Sequence, residues 1–289
     1  MKRSQSSITA EGIALVRAIE SSKPECERIC YDPYARYFVN PMLTFFGRVL
    51  AGYGARRSPG VIEFLTARTR YIDDYLRSCI ANGIEQLVIL GAGFDSRAYR
   101  FDELKDRIKV FEVDHPATQQ VKLDRLKKIF GRVPAQVAFV AIDFSDETLD
   151  KLFVSGYDNN AKTLIIWEGV VYYLAAQAVD ATLAFVARKT GVGSFIIFDY
   201  AYSDILEGQN RRNEVKSMQR YRRFTDEALV FGIQRGCIEE FLNRRGFEGV
   251  VNVDSAWLKQ NYFASAKPVA ASYAIVHASV ARTKTQETK

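Results

Sequence analysis

The feature that most constrains this chain is a short apolar segment followed at once by two closely spaced glycines. Leu87 to Leu90 are four consecutive apolar residues, which is typical of a strand buried on both faces. Gly91 and Gly93 follow directly, and glycine permits positive φ angles and close approach of a ligand to the backbone. The pattern predicts the nucleotide-binding turn of an open α/β sheet, where ligands bind outside the carboxyl ends of the strands.

The spacing of the glycines narrows the class of ligand. A dinucleotide-binding fingerprint has a third glycine three residues after the second, but this chain has Ser96 at that position. The remaining Gly-x-Gly pattern favours an adenosyl ligand without a pyrophosphate over NAD. A tight turn that binds no ligand stays open as the alternative at this point.

Composition sets broad limits. The chain has 289 residues and a net charge of +6, which permits anionic substrates but does not require nucleic acid. The polar N-terminus shows no secretory signal, and no apolar run reaches the roughly 18 residues of a membrane span. We therefore expect a soluble cytoplasmic protein with no membrane association. Cys26 and Cys30 lack the usual spacing of a zinc or redox motif, so no metal site is expected.

Strands and helices alternate after the glycine turn, which predicts an α/β fold with a mostly parallel sheet and helices on both faces. Periodicity predicts strands at 87–90, 109–114, 136–143, 163–169, 194–200, 249–254 and 272–277. It predicts helices at 8–22, 61–82, 95–101, 116–130, 175–189 and 238–245.

Three segments depart from this rhythm. Residues 47–60, rich in glycine and arginine, are expected to form a mobile loop, and the basic stretch within 201–233 is either a lid or a solvated helix. We expect an N-terminal helical cap at 1–82, a core at 83–280 that carries the lid insertion 201–233, and a disordered tail at 281–289.

Acidic residues end the strands that follow the glycine turn. Asp114 lies about twenty residues beyond the glycines, where a carboxylate takes ribose hydroxyls. Asp143 is placed to accept from an adenine amino group, and Glu168 is placed to meet a positively charged ligand group. Each could instead cap a helix, but three acids at successive strand ends favour a neutral or cationic nucleoside.

With these residues the chain resembles the leucine carboxyl methyltransferase family, particularly its bacterial branch of S-adenosylmethionine-dependent methyltransferases. The resemblance runs from about Thr9 to His277. The motifs that carry it are Arg17-Ala-Ile-Glu20, Asp32-Pro-Tyr-Ala35, Ala67-Arg-Thr69, Leu90-Gly-Ala-Gly-Phe-Asp-Ser-Arg97, Glu112-Val-Asp114 and Glu168-Gly-Val-Val-Tyr-Tyr-Leu174. It implies a Rossmann-like class I methyltransferase fold with seven strands, of which the one at 272–277 is antiparallel.

The resemblance also implies a role for each matching position. Arg68 would bind the methionine carboxylate of S-adenosylmethionine, and Glu168 would face the methionine amino group. Gly91 and Gly93 would leave room for the backbone of the cofactor to pass. Asp114 would hold the ribose, and Asp143 and Phe144 would bracket the adenine. Arg17 is a looser match to a basic residue on the first helix that reaches the site.

The family implies O-methylation by in-line displacement, most simply of a carboxylate on a small molecule or a protein C-terminus. A carboxylate is already ionised at pH 7 and needs no base, whereas a phenolic or polyketide hydroxyl would benefit from one. The candidates for acceptor-pocket or catalytic roles are Tyr172, Tyr173 and His115, although capping or packing is the commoner role for a histidine at a helix start.

Three rival functions belong to other classes. An NAD-dependent oxidoreductase would need nicotinamide binding, and a non-catalytic adenosyl-binding protein would form no product. An RNA-modifying methyltransferase that uses the basic segment would bind with a steep salt dependence. The acceptor and the oligomeric state do not follow from the sequence.

Overall fold

The computed structural model describes residues 8–40, 42, 59–144, 146–206, 229–263 and 267–281. The strands are β1 (Gln86–Leu90), β2 (Lys109–Asp114), β3 (Val137–Ala141), β4 (Thr163–Trp167), β5 (Phe195–Ala201), β6 (Phe247–Val253) and β7 (Tyr273–Val280). The α-helices are α1 (Ile8–Ser21), α2 (Val61–Ala81), α3 (Arg97–Arg100), α4 (Pro116–Phe130), α5 (Lys151–Val154), α6 (Ala176–Lys189), α7 (Ile238–Asn243) and α8 (Ser255–Tyr262).

The strands form one sheet in the order β3-β2-β1-β4-β5-β7-β6. Strands β1 to β5 are parallel to their neighbours, and β7 pairs antiparallel with both β5 and β6. The mostly parallel seven-stranded sheet is confirmed, and so is the antiparallel strand predicted at 272–277. The strand order changes direction at β1, so β1 lies between β2 and β4 and its carboxyl end opens onto the crevice where such folds bind ligands.

Both faces of β1 are buried, as its unbroken apolar sequence predicts. All five of its residues are buried, and successive side chains point to opposite faces of the sheet. Leu87 and Ile89 join the core on one face, and Val88 and Leu90 join the core on the other. Because both faces of β1 are packed, the strand cannot shift without exposing the apolar side chains of a core. The glycine turn at its end is therefore held in place.

The N-terminal helices complete one of these cores and reach the glycine turn. On α2, Phe64 and Ile72 pack in the same core as Leu87. On α1, the Arg17 Nη2 donates to the carbonyl of Phe94 at 2.6 Å. The helices at the start of the chain are therefore in direct contact with the turn that follows β1.

The helices differ from the prediction in three places: the one expected at 95–101 is shorter, and α5 and α8 had no predicted counterpart. The helix expected at 95–101 is limited to one turn, α3, because Asp95 and Ser96 form the end of the glycine turn instead. Helix α8 was not expected, and its start is set by Asp254, whose side chain accepts from the Trp257 backbone N–H at 2.9 Å.

Several expected segments lie wholly or largely outside the described residues. They are the mobile loop at 47–60, most of the lid at 201–233 and the tail after residue 281. The last residues of the segment expected to form a lid are described: the Val230 backbone N–H donates to the Tyr172 carbonyl at 2.9 Å. Across the described part of the chain, no helix has the length and apolarity that a bilayer span requires.

Candidate functional site

A cavity of about 390 Å³ lies at the carboxyl ends of β1, β2, β3 and β4, with α1 and α2 on one side. The sequence-predicted residues that line it are Arg68, Gly91, Gly93, Asp114, His115, Asp143, Phe144, Glu168 and Tyr173. Arg17 lines it too, whereas Tyr172 does not. The structure thus gathers residues from α1, α2 and the ends of four strands, β1, β2, β3 and β4, into one cavity.

The two glycines at the end of β1 are required by the backbone. Gly91 has φ +62°, and a Cβ built there would lie 2.3 Å from Cγ2 of Val170. Gly93 has φ +44°, and its N–H donates to the Asp114 carboxylate. A side chain at Gly91 would be strained by its φ angle and would also occupy space beside the cavity.

The Asp114 carboxylate is held by two backbone N–H groups. Besides the bond from Gly93, its Oδ1 accepts from the His115 N–H at 2.6 Å. Burial raises the pKa of Asp114, against the opposing effect of these two backbone hydrogen bonds. A carboxylate can accept about four hydrogen bonds, so Asp114 keeps capacity to accept from a ligand diol.

A buried charge cluster forms the wall near β4 and β5. The Arg68 guanidinium, 1% exposed, contacts Oε1 of Glu168 at 3.0 Å and Oδ2 of Asp199 at 2.5 Å. Burial works against the charged form of Arg68, but Asp199 and Glu168 outweigh it and raise its pKa. Asp199 also accepts from the Gly169 N–H at 2.6 Å, which ties this wall to the loop after β4.

Glu168 has a second arginine partner that the sequence analysis did not identify. The Arg97 Nη1 donates to Oε2 of Glu168 at 2.7 Å, and its Nε donates to Asp73 at 2.8 Å. Arg97 Nη1 also contacts Asp95. Burial alone would raise the pKa of Glu168, but Arg97 and then Arg68 outweigh it and lower that pKa.

Asp199 was also missed as a site residue. It was expected within a strand, and its partner Arg68 lies 131 residues away in the sequence. The available signal was a carboxylate inside an otherwise apolar strand, since a buried charge requires a partner.

Two buried atoms in this wall lack a hydrogen bond among the described residues. They are Nε of Arg68 and Oε1 of Glu168, which face each other as an ion pair at 3.0 Å. Both residues line the cavity. A guanidinium and a carboxylate side by side match the carboxylate and ammonium groups of an amino acid, so the residues fit the methionine end of S-adenosylmethionine.

His115 is committed to the start of α4. Its Nδ1 accepts from the Ala117 backbone N–H at 3.2 Å, so the proton of the neutral ring belongs on Nε2. That Nε2 lies 3.5 Å from Oδ2 of Asp143. The structure therefore places His115 as a helix cap that faces Asp143 at the cavity edge.

The two tyrosines after β4 have different positions. Tyr173 lines the cavity, while Tyr172 is buried behind it with its hydroxyl 3.5 Å from Arg68 Nη1. Burial, with Asp199 next, raises the pKa of Tyr172 well above its ordinary value. Tyr172 therefore stays a neutral phenol at neutral pH and cannot serve as a base.

The described lining is more acidic than basic. It contains the carboxylates of Asp95, Asp114, Asp143 and Glu168, and the guanidinium groups of Arg17 and Arg68. This balance suits a ligand with a net positive charge and disfavours a pyrophosphate. Within the described ranges, no group of three or more His, Cys, Asp or Glu side chains is arranged to hold a metal ion.

Comparison with known proteins agrees with this geometry. The family model described as "Leucine carboxyl methyltransferase" matches residues 10–187. A Bacillus subtilis protein named "Putative S-adenosyl-L-methionine-dependent methyltransferase YktD" is 30% identical over 73% of this chain and 69% of its own length. A protein of the same description from Mycobacterium sp. strain KMS is 31% identical over 83% of this chain and 82% of its own.

Solved structures show the same fold at low sequence identity. A DUF574 family protein from Streptomyces avermitilis has a TM-score of 0.59 at 13% identity, over 95% of this chain and 98% of its own. A structure from Thermobifida fusca, described as a "putative methyltransferase", has a TM-score of 0.58 at 14% identity and covers 97% of both chains. These structures show the fold alone, whereas the family match and the curated relatives establish that this chain is an S-adenosylmethionine-dependent methyltransferase and belongs to the leucine carboxyl methyltransferase family.

Proposed function

We propose that this enzyme is an O-methyltransferase whose acceptor is a carboxylate, carried by a small molecule or by a protein C-terminus. The cofactor supplies an electrophilic methyl group on a sulfonium. The chain's own task is then to hold the acceptor oxygen in line and to keep water out. Neither task needs a proton-transfer residue when the acceptor is already an anion.

We place the cofactor in the strand-end cavity. Arg68 and Glu168 would hold its methionine end, Gly91 and Gly93 would give it room, Asp114 would accept from the ribose, and Asp143 and Phe144 would flank the adenine. The support is that these residues line one cavity and that the neighbouring guanidinium of Arg68 and carboxylate of Glu168 match the two charged groups of an amino acid.

The observation that carries the carboxylate proposal is that Glu168, Asp114 and His115, which line the cavity, already have partners. Glu168 is paired with two arginines, and Asp114 accepts from two backbone N–H groups. His115 uses Nδ1 as a cap acceptor and faces Asp143 with Nε2. These side chains are therefore already engaged, and none of them is poised to take a proton from a neutral hydroxyl.

A matched acceptor series tests this proposal. Aryl and alkyl carboxylic acids are compared with phenols and carboxamides of the same skeleton, using S-adenosylmethionine with a deuterated methyl group and mass spectrometry of the product. We expect a methyl ester that mild alkali hydrolyses. We also expect a rate that is nearly constant from pH 6 to 8.5, because the acceptor is ionised throughout.

The opposite outcome is equally clear. An alkali-stable ether, formed at a rate that rises about tenfold per pH unit, would identify a phenolic acceptor whose ionisation limits the reaction. That result would contradict carboxylate methylation and would direct the search for a base to segments beyond the described lining.

A further inference from the structure

Arg97 stands behind the cavity wall and touches a residue that lines it. We propose that Arg97 is a positioning residue for the cofactor's methionine ammonium group, because it fixes the Glu168 carboxylate at the cavity wall. The inference rests on the proposed cofactor-binding role of Glu168 and extends that role to a side chain outside the cavity. Arg97 is 1% exposed and is not among the lining residues.

The two arginines hold the Glu168 carboxylate in different ways. Arg97 makes a hydrogen bond to Oε2 at 2.7 Å. Arg68 approaches Oε1 at 3.0 Å, yet Oε1 has no hydrogen bond among the described residues. Arg97 therefore sets the orientation of the Glu168 carboxylate, whose other oxygen is ion-paired with Arg68, and keeps its negative charge at the cavity wall.

Arg97 can orient Glu168 because its own position is fixed. Its Nε donates to Asp73 on α2 at 2.8 Å, and its Nη1 contacts Asp95 in the glycine turn. The Arg97 backbone N–H also donates to Asp95, at 2.7 Å. A planar guanidinium with five donors can serve three carboxylates from three elements, which an ammonium group cannot do with the same geometry.

Charges from several elements face Glu168. Arg68 on α2, Arg17 on α1 and Arg97 favour its ionised form, whereas burial and Asp95 oppose it. Asp199 on β5 shares Arg68 with Glu168.

The sign of the pH effect follows from this balance. Arg97 lowers the Glu168 pKa, so its removal raises that pKa, and the carboxylate then protonates as the pH falls towards the new value. A protonated Glu168 no longer pairs with an ammonium group. Loss of Arg97 should therefore weaken cofactor binding most at acidic pH.

The chain offers a matched control one turn away on the same short helix. Arg100 is also buried and donates to Asp73 at 2.7 Å, but no contact joins it to Glu168 among the described residues. Arg97→Gln and Arg100→Gln remove the same charge from the same cluster, and only the first removes a partner of Glu168.

The experiment is calorimetric titration with S-adenosylhomocysteine from pH 5.5 to 8 for the wild type, Arg97→Gln and Arg100→Gln. Thermal unfolding confirms that each variant is folded. We expect nearly constant affinity for the wild type and Arg100→Gln. For Arg97→Gln we expect the dissociation constant to rise at least severalfold as the pH falls from 7.5 to 5.5, because each unit by which the pH drops below the pKa of a carboxylate that must be ionised weakens binding about tenfold.

Two further variants make the test decisive. Arg97→Lys keeps the buried positive charge, so this variant should fold more readily than Arg97→Gln. It should bind S-adenosylhomocysteine about threefold more weakly than the wild type at every pH, because the planar guanidinium with its several donors is lost. Glu168→Gln should bind at least tenfold more weakly with no added pH dependence.

If Glu168→Gln binds like the wild type, the proposed cofactor site is wrong and the inference falls with it. If Glu168→Gln binds weakly but Arg97→Gln has the pH profile of Arg100→Gln, the proposed cofactor site stands and only the proposed role of Arg97 is overturned. Wild-type affinity in Arg97→Lys would also overturn it.

Discussion

Asp114 is the single residue whose replacement most directly tests the ribose end of the site. Its oxygens accept from the Gly93 and His115 backbone N–H groups, and its remaining acceptor capacity faces the cavity. We expect Asp114→Asn to weaken S-adenosylhomocysteine binding about tenfold to hundredfold, because a hydrogen bond to a charged group contributes roughly 1.5–3 kcal/mol. Calorimetry measures this. The control is Asp124→Asn on the exposed side of α4, and equal affinity in the two variants would refute the assignment.

Substitutions of His115 distinguish a helix-capping role from a catalytic role. We expect His115→Ala to lose about 1 kcal/mol of stability, since it removes the side chain that accepts from Ala117 at the start of α4. Turnover at saturating cofactor should change less than about threefold, whereas loss of a general base costs about 10²- to 10⁴-fold. His115→Asn, which restores a good cap, should recover the stability. A hundredfold loss of turnover in both variants would instead identify His115 as the base.

At the scale of elements, the glycine turn after β1 can be tested by two alanine substitutions. Gly83 has φ +76° and nothing within 4 Å of a built Cβ, whereas Gly91 has φ +62° and meets Val170 at 2.3 Å. Gly83→Ala should cost about 1–2 kcal/mol, the penalty of the left-handed conformation alone. Gly91→Ala should cost about 1–3 kcal/mol more from overpacking.

The substitution Val170→Ala provides the check on that explanation. It removes the methyl group that a Cβ at Gly91 would meet, so the double variant should regain part of the lost stability in chemical denaturation. If Gly91→Ala is no worse than Gly83→Ala, the close contact with Val170 does not constrain the turn.

The strands were predictable because their information is local. The bounds of β2 match the prediction at 109–114, and β1 was recognised from four apolar residues and the glycines that follow. Helix α8 was missed because its sequence, with Lys259, Gln260 and Asn261 in succession, has a weak apolar stripe. Its start depends on the Asp254 cap rather than on periodicity.

The site was predictable where a side chain follows a strand, and it was not where partners are distant in sequence. Asp114 and Glu168 could be placed from strand ends alone. The pairing of Arg97 with Glu168 spans 71 residues, and that of Arg68 with Asp199 spans 131. Such contacts depend on the register and packing of whole elements, so the local periodicity of the sequence does not predict them.

At the scale of the whole molecule, the cavity is lined by residues from both parts of the proposed domain division, 1–82 and 83–280. Thr9, Ala10, Ile13 and Arg17 of α1 line it, together with residues that follow β1, β2, β3 and β4. If 1–82 is a cap that completes the site, a ligand in the cavity must stabilise both parts at once. A ligand at 100 times its dissociation constant stabilises the folded chain by about 2.7 kcal/mol.

Hydrogen exchange with and without S-adenosylhomocysteine tests that coupling. We expect slower exchange in α1 as well as in the turn at 91–95, because Arg17 donates to the Phe94 carbonyl and links the two. Helix α7 does not line the cavity and serves as the internal control. Protection limited to residues after 83 would show that the N-terminal helices pack on the core without taking part in cofactor binding. Slower exchange in both regions would mean that the first helix contributes to the cofactor site in the folded protein. No single segment of the chain forms the whole cavity by itself.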